Sequence, residues 1–200
     1  MENIAKNVLK VKVNKMEIYV VRHGRVPSND KNIVSGRSDE ELTEVGIKQA
    51  ESVSDKLKDI DFNAIYSSNV RRAVQTANII NIHGLDINFD ERLAEREPGA
   101  MLGKNRKEID RTLWNSLTLD RTPEGAETLK SGLDRTKSIL DEIYNKNPDQ
   151  KVLIVTHNFI CKCIWKLLNN TADLNEVASF FQDNDEIKRY VIIKEGDKTE

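Results

Sequence analysis

Lys151-Val152-Leu153-Ile154-Val155-Thr156, followed at once by His157, is the stretch that decides the fold. Consecutive aliphatic residues from Val152 to Val155 leave neither face for water, so the segment reads as a strand buried on both sides of a sheet. A titratable His157 at the carboxyl end of such a strand marks a place to look for chemistry. Glu17–Val21 (EIYVV) has the same character. It runs into Arg22-His23-Gly24, where the glycine lets the backbone turn. Ala64–Ser67 (AIYS), Ile87–Phe89 and Arg189–Lys194 (RYVIIK) read as further strands, the last at or near an edge.

Helical periodicity fills the intervals. Thr43 is placed to cap a helix whose apolar face is Ile47, Ala50, Val53, Leu57 and Ile60. Val70–Ile80 predicts a helix with Ala73, Ala77 and Ile80 inward. A third is expected over Lys107–Leu117. A fourth runs from Ala126 to Tyr144 with Leu129, Leu133, Ile139, Leu140 and Ile143, and stops at Asn147-Pro148. Phe159–Leu168 gives a fifth, and Pro27–Asp39 reads as loop. Strands alternating with helices predict an α/β fold. It is a three-layer sandwich: a mostly parallel central sheet, helices on both faces and an antiparallel edge strand. Arg22-His23, His157 and Ser67-Ser68 with Arg71 and Arg72 all fall at strand carboxyl ends, so they should meet in one crevice.

Bulk properties narrow the function. Charged residues are 32% of the chain, yet the formal net charge is only -2. No strong basic field is available for nucleic acid or anionic lipid, so neither nucleic acid nor a membrane is an expected partner. No apolar run has the length of a membrane span, and the leader 1–15 lacks the apolar stretch of a signal peptide. A cytoplasmic location is expected. Residues 1–15 read as an N-terminal extension to a single domain at 16–200, with Met16 the alternative start. Cys161 and Cys163 are too close for an unstrained disulfide and lack the spacing of a zinc pair.

The crevice needs a chemical reading. A site that transfers a phosphoryl group must match negative charge spread over the equatorial oxygens, which the planar fork of arginine does well. It also needs an unprotonated nucleophile, for which a neutral imidazole qualifies when its other nitrogen donates to a fixed acceptor. An acid must protonate the leaving oxygen. Each candidate also has a plain structural reading: His23 as a strand-end hydrogen-bonding residue, His157 as a satisfied core histidine, Arg71 and Arg72 as solvated helix-start residues.

The residues occur in blocks that settle between these readings. Arg22-His23-Gly24 is followed by Asn29 and Gly36, then by Glu41-Leu42-Thr43-Glu44-Val45-Gly46 and Gln49-Ala50. Ser67-Ser68-Asn69-Val70-Arg71-Arg72-Ala73-Val74-Gln75-Thr76-Ala77 forms a second block. Arg92-Leu93-Ala94-Glu95 with Gly99 and Gly103, Pro123-Glu124-Gly125-Ala126-Glu127, and Val155-Thr156-His157 complete the set. In order and spacing these resemble the histidine phosphatase superfamily, the phosphoglycerate mutase-like group, from Met16 to Leu168. The resemblance implies that His23 becomes phosphohistidine, that Arg22 and Arg72 hold the phosphoryl oxygens, and that His157 adds a donor. It implies that Glu95 protonates the leaving group and then activates water, with Glu97 the competing acid. Asn29, Ser35 and Gly36 are expected to line the phosphate pocket, without metal or other cofactor.

Departures touch substrate choice. Arg25 and Val26 stand where the family often has an acid or amide and a hydroxyl residue. Ile33 replaces an arginine common in mutases, and Asn158 replaces a glycine. Arg25 and Asn158 therefore join the substrate-binding candidates. His83 reads as a turn residue and Trp165 as core. Trp114 is read as core or as pocket wall. Lys104, Arg106 and Lys107 are read as a solvated face or as reaching a second anionic group. The expected activity is hydrolysis of a small phosphorylated metabolite. Mutase-type transfer is the first alternative, and a non-catalytic phospho-ligand binder the second. A homodimer is left open.

Overall fold

The computed structural model describes residues 13–109 and 122–195. Five strands form one sheet in the order β3-β2-β4-β1-β5. These are β1 (Val13–Arg22), β2 (Ala64–Ser67), β3 (Ile87–Phe89), β4 (Lys151–Thr156) and β5 (Ile187–Glu195). β4 sits at the centre, parallel to β1 and β2, while β5 pairs antiparallel with β1 at the edge. β1 is longer than its apolar run because Val13–Lys15 pair with the end of β5.

Alternate residues feed two cores, as the pleat requires. Met16, Ile18 and Val20 on β1, with Val152 and Ile154 on β4, pack against Ile139, Leu140, Ile143, Ile160 and Ile164. Those five belong to α4 (Leu129–Lys146) and α5 (Asn158–Asn169). Tyr19, Val21, Leu153 and Val155 face the other way, onto Val53, Leu57, Ala73, Ala77 and Ile80. These come from α2 (Glu44–Leu57) and α3 (Arg71–Ile80). The expected sandwich is therefore present, with α2 and α3 on one face and α4 and α5 on the other.

Local chemistry fixes the boundaries. The Thr43 side chain accepts a hydrogen bond from the Gly46 amide, capping α2, and Thr128 does the same for α4 through Ser131. Four expectations change. Pro27–Asp30 is a one-turn helix, α1, begun by a proline at its first turn and closed by Asn29 Oδ1 accepting from the Val26 amide. Ile47 is 41% exposed, so the inner face of α2 begins at Ala50. The fourth predicted helix starts three residues late, at Leu129. A short helix, α6 (Leu174–Ser179), carried no periodic signal. The expected helix at Lys107–Leu117 lies mostly outside the described residues, as does Trp114; residue 107 lies in a turn and 108–109 in bends.

Candidate functional site

The carboxyl ends of β1, β2 and β4 converge, as their parallel register demands. Arg22 lies opposite Thr156, so His23 and His157 leave adjacent strands side by side. Their ring centroids are 5.0 Å apart at 57°. Gly24 makes the exit from β1 feasible. A Cβ there would lie 2.3 Å from the carbonyl oxygen of Gly46, so the two glycines let the turn press directly on the start of α2.

Arg72 joins the two rings. Its Nε donates to His23 Nε2 at 3.1 Å and its Nη2 reaches His157 Nδ1 at 3.2 Å. The same guanidinium donates to the carbonyls of Gly36 (2.5 Å) and Ser38 (3.1 Å). Gly36 adopts φ +51°, and a side chain there would strike the Pro98 ring at 2.5 Å. The glycine thus presents its carbonyl where a bulkier residue would push the loop away.

A guanidinium only donates, so the bonded ring nitrogens are acceptors. His23 must then carry its proton on Nδ1, which lies 2.7 Å from the Gly24 carbonyl. His157 must carry its proton on Nε2, which is 2.8 Å from Ser68 Oγ. Both rings are neutral. Burial, then the charges of Arg72 and Arg22, hold the His23 pKa well below the usual 6.5, and burial and Arg72 do the same to His157.

Arg22 is also buried, with Nη1 donating to the Gln182 carbonyl at 3.0 Å and its guanidinium over the Phe181 ring. Its Nε has no acceptor among the described residues, as expected of a donor reserved for a ligand. Glu95 faces the same cleft and accepts from the Arg96 amide at 2.8 Å. The fourth block explains how Glu95 is held. Glu127 forms a two-pronged pair with Arg135, at 2.6 and 2.7 Å. Arg135 in turn donates to the carbonyls of Arg92 and Ala94, immediately before Glu95.

Above this bed lies a cleft of about 480 Å³. Arg25, Asn29, Ser35, Gly36 and Asn158 all line it. Arg25 is paired with Asp30 at 2.9 Å, and Asn158 Oδ1 accepts from the Gln182 amide. Glu97 is exposed and outside the lining. Arg71 pairs with Asp39 and Glu41 at the surface, His83 is exposed in a turn, and Trp165 is half-buried against Phe180. Sequence reasoning assigned no part to Gln182, Asn184, Thr76 or Ser68. Gln182 is fully buried and holds Arg22. Asn184 donates to the His23 carbonyl, and Thr76 Oγ1 accepts from the Gly24 amide. Ser68 and Thr76 stood inside a quoted block and so had a signal, whereas Gln182 and Asn184 lie beyond every block.

The buried neutral rings make stability depend on pH. The unfolded chain takes protons on these imidazoles near pH 6.5, while the folded chain does not until far lower. The unfolded state therefore binds more protons below that pH, and stability falls as pH falls. The slope approaches about 1.4 kcal/mol per pH unit for each ring. Urea midpoints measured from pH 7.5 to 5 should show this decline, and a His23→Asn/His157→Asn double variant should flatten it.

Comparison with known proteins places the fold in a family. The histidine phosphatase superfamily (branch 1) matches residues 18–199. A phosphoglycerate mutase-like protein 4 of Arabidopsis thaliana is 31% identical over 164 residues, covering 77% of this chain and 71% of that one. Two solved structures share the fold. A mycobacterial glucosyl-3-phosphoglycerate phosphatase superimposes with a TM-score of 0.78 at 23% identity, covering 90% of this chain and 97% of that one. A phosphoserine phosphatase of Entamoeba histolytica, solved with 3-phosphoglyceric acid, gives 0.77 at 23%, covering 87% and 89%. Taken with the paired histidines under one arginine, these likenesses establish that the chain belongs to the histidine phosphatase superfamily.

Proposed function

We propose that the protein hydrolyses a small phosphate monoester through a phosphohistidine on His23, without a metal ion. The observation that carries this reading is the neutral His23 ring, its Nδ1–H donated to Gly24 and its Nε2 lone pair facing Arg72 beside His157. As the phosphoryl group enters, Arg72 exchanges the ring nitrogen for a phosphoryl oxygen, which frees the lone pair. His23 Nε2 then bonds to phosphorus as the bond to the leaving oxygen breaks, and Glu95 gives that oxygen a proton. In the second step Glu95 takes a proton from water as the water oxygen bonds to phosphorus. The P–N bond breaks, its electron pair returns to Nε2, and inorganic phosphate leaves.

Arg22 and Arg72 supply the charge that a metal supplies in other phosphoryl-transfer sites. Among the described residues no group of three His, Cys, Asp or Glu side chains is arranged to hold a metal. Phosphate release from a panel of monoesters should therefore persist in excess chelator; loss of turnover on chelation defeats the metal-free reading. Acid-labile, base-stable labelling of the protein by a radioactive phosphate ester should accompany turnover.

Mutase-type transfer is the alternative, and the name of the Arabidopsis relative keeps it in view. Ile33 favours hydrolysis: it stands where mutases often place an arginine, and here its backbone bridges to Asn105. A mutase assay run beside the phosphate assay separates the two. Two buried, unpaired thiols, Cys161 and Cys163, suit the reducing cytoplasm.

A further inference from the structure

Glu95 rides on a segment that belongs to no strand of the sheet, so no ladder of backbone bonds fixes it. Side chains meet its carbonyls instead. Arg135 Nη1 donates to the Arg92 and Ala94 carbonyls, each at 2.7 Å. Thr156 Oγ1 donates to the Leu93 carbonyl between them, also at 2.7 Å. Arg37 Nε donates to the carbonyl of Glu95 itself at 3.0 Å. Four consecutive carbonyls, 92 to 95, are thus held from three separate parts of the chain. Arg135 is fixed in turn by both carboxylate oxygens of Glu127, whose amide donates to the Glu97 carbonyl and whose carbonyl accepts from Arg96 Nε. Arg37 stands between Gly36 and Ser38, the residues whose carbonyls seat Arg72. Its bond to Glu95 therefore ties the carrier of the acid to the loop that holds the phosphoryl-binding guanidinium. Neither Arg37 nor Arg135 lines the cleft.

We propose that Arg37 and Arg135 are positioning residues for proton transfer by Glu95: neither touches the substrate, and both set where the carboxyl stands relative to the phosphoryl group. The inference rests on the phosphatase reading with Glu95 as its acid. The plain alternative is a core ion pair and a solvated surface arginine. A core ion pair is complete with Arg135 Nε and Nη2 on Glu127, yet Nη1 reaches two carbonyls of the strip before Glu95. Arg37 is exposed, but its Nε meets a carbonyl of the acid's own residue. Proton transfer demands such support, because a displacement of about 1 Å costs about 10²-fold in rate, and a residue on irregular backbone holds its place only through its neighbours. The need is unequal between esters. An alkoxide is too basic to leave without a proton, while 4-nitrophenolate leaves as the anion. Loss of position should therefore register on alkyl esters and spare aryl ones.

Steady-state kinetics on 4-nitrophenyl phosphate and on glycerol 3-phosphate, or a faster alkyl monoester from the phosphate-release panel, test this. The quantity read is kcat/KM, which covers the steps up to departure of the leaving group. In Arg37→Met it should fall about tenfold or more on the alkyl ester and stay within about twofold on the aryl ester. Arg37→Lys still reaches the carbonyl and should restore most of the loss. Glu127→Gln/Arg135→Gln removes both charges together, so neither is left buried alone, and should show the same preference. Equal losses on the two esters, the mark of a general disturbance of the site, overturn the proposal, as does no loss on either. Melting curves show whether each variant folds; if the glutamine pair does not, Arg37→Met, at an exposed position, decides. Glu95→Gln separates this inference from the reading beneath it. If Glu95→Gln hits the alkyl ester alone and the positioning variants do not discriminate, this inference alone fails. If Glu95→Gln shows no preference, the assignment of Glu95 as acid fails and the inference falls with it. Release of phosphate from no ester by the parent protein defeats the phosphatase reading and both assignments together.

Discussion

His23→Ala is expected to abolish phosphate release, with turnover falling by at least about 10⁴-fold, because the proposed route forms its phosphoryl bond on this ring. The loss should be chemical rather than structural. His23 is 3% exposed, and alanine removes a ring whose Nδ1–H meets only the neighbouring Gly24 carbonyl. The fold is pinned instead by Gly24 on Gly46 and by Asn184 on the His23 carbonyl, neither of which needs the ring. Melting should therefore show a folded protein that still binds phosphate through Arg22 and Arg72. Turnover in this variant within tenfold of the parent, on the same ester, refutes the phosphohistidine route.

Arg72→Met should be nearly as damaging. The guanidinium serves four acceptors: His23 Nε2, His157 Nδ1 and the carbonyls of Gly36 and Ser38. Removing one preorganised donor to developing negative charge costs about 10²- to 10³-fold in kcat, and Arg72 presents several. We expect at least about 10³-fold, with kcat falling more than KM rises, because the charge it meets is greatest in the transition state. Arg72→Lys should recover little, since a point charge cannot span two rings and two carbonyls. Rescue by lysine to within tenfold would mean that charge alone, rather than the fork, is what the site uses.

The fold was legible because its central strands are buried on both faces, which forces aliphatic runs such as Val152–Val155 that no other environment favours. The site was legible because its parts sit at the ends of those strands, where a titratable residue is out of keeping with what precedes it. α6 was not foreseen: Leu174–Ser179 buries only Val177, too little to leave a period. Ile47 misled for the opposite reason, as it keeps the helical spacing but lies where the sheet no longer covers α2. Gln182 holds Arg22 through its backbone carbonyl, and a carbonyl leaves no trace in the residue type. Arg135 was invisible because its partners are the carbonyls of Arg92 and Ala94 and a carboxylate eight residues back.

The placement of His23 and His157 on neighbouring strands has a wider meaning. Adjacent strands stand about 4.8 Å apart wherever a sheet forms, and the rings are 5.0 Å apart. The spacing of the two rings is thus inherited from backbone hydrogen bonding, which no side-chain replacement on the rim can alter. The cleft above the rings, by contrast, is lined largely by the connections and by α6. Lineages with this architecture are free to exchange those connections, while the distance between the two rings stays the same.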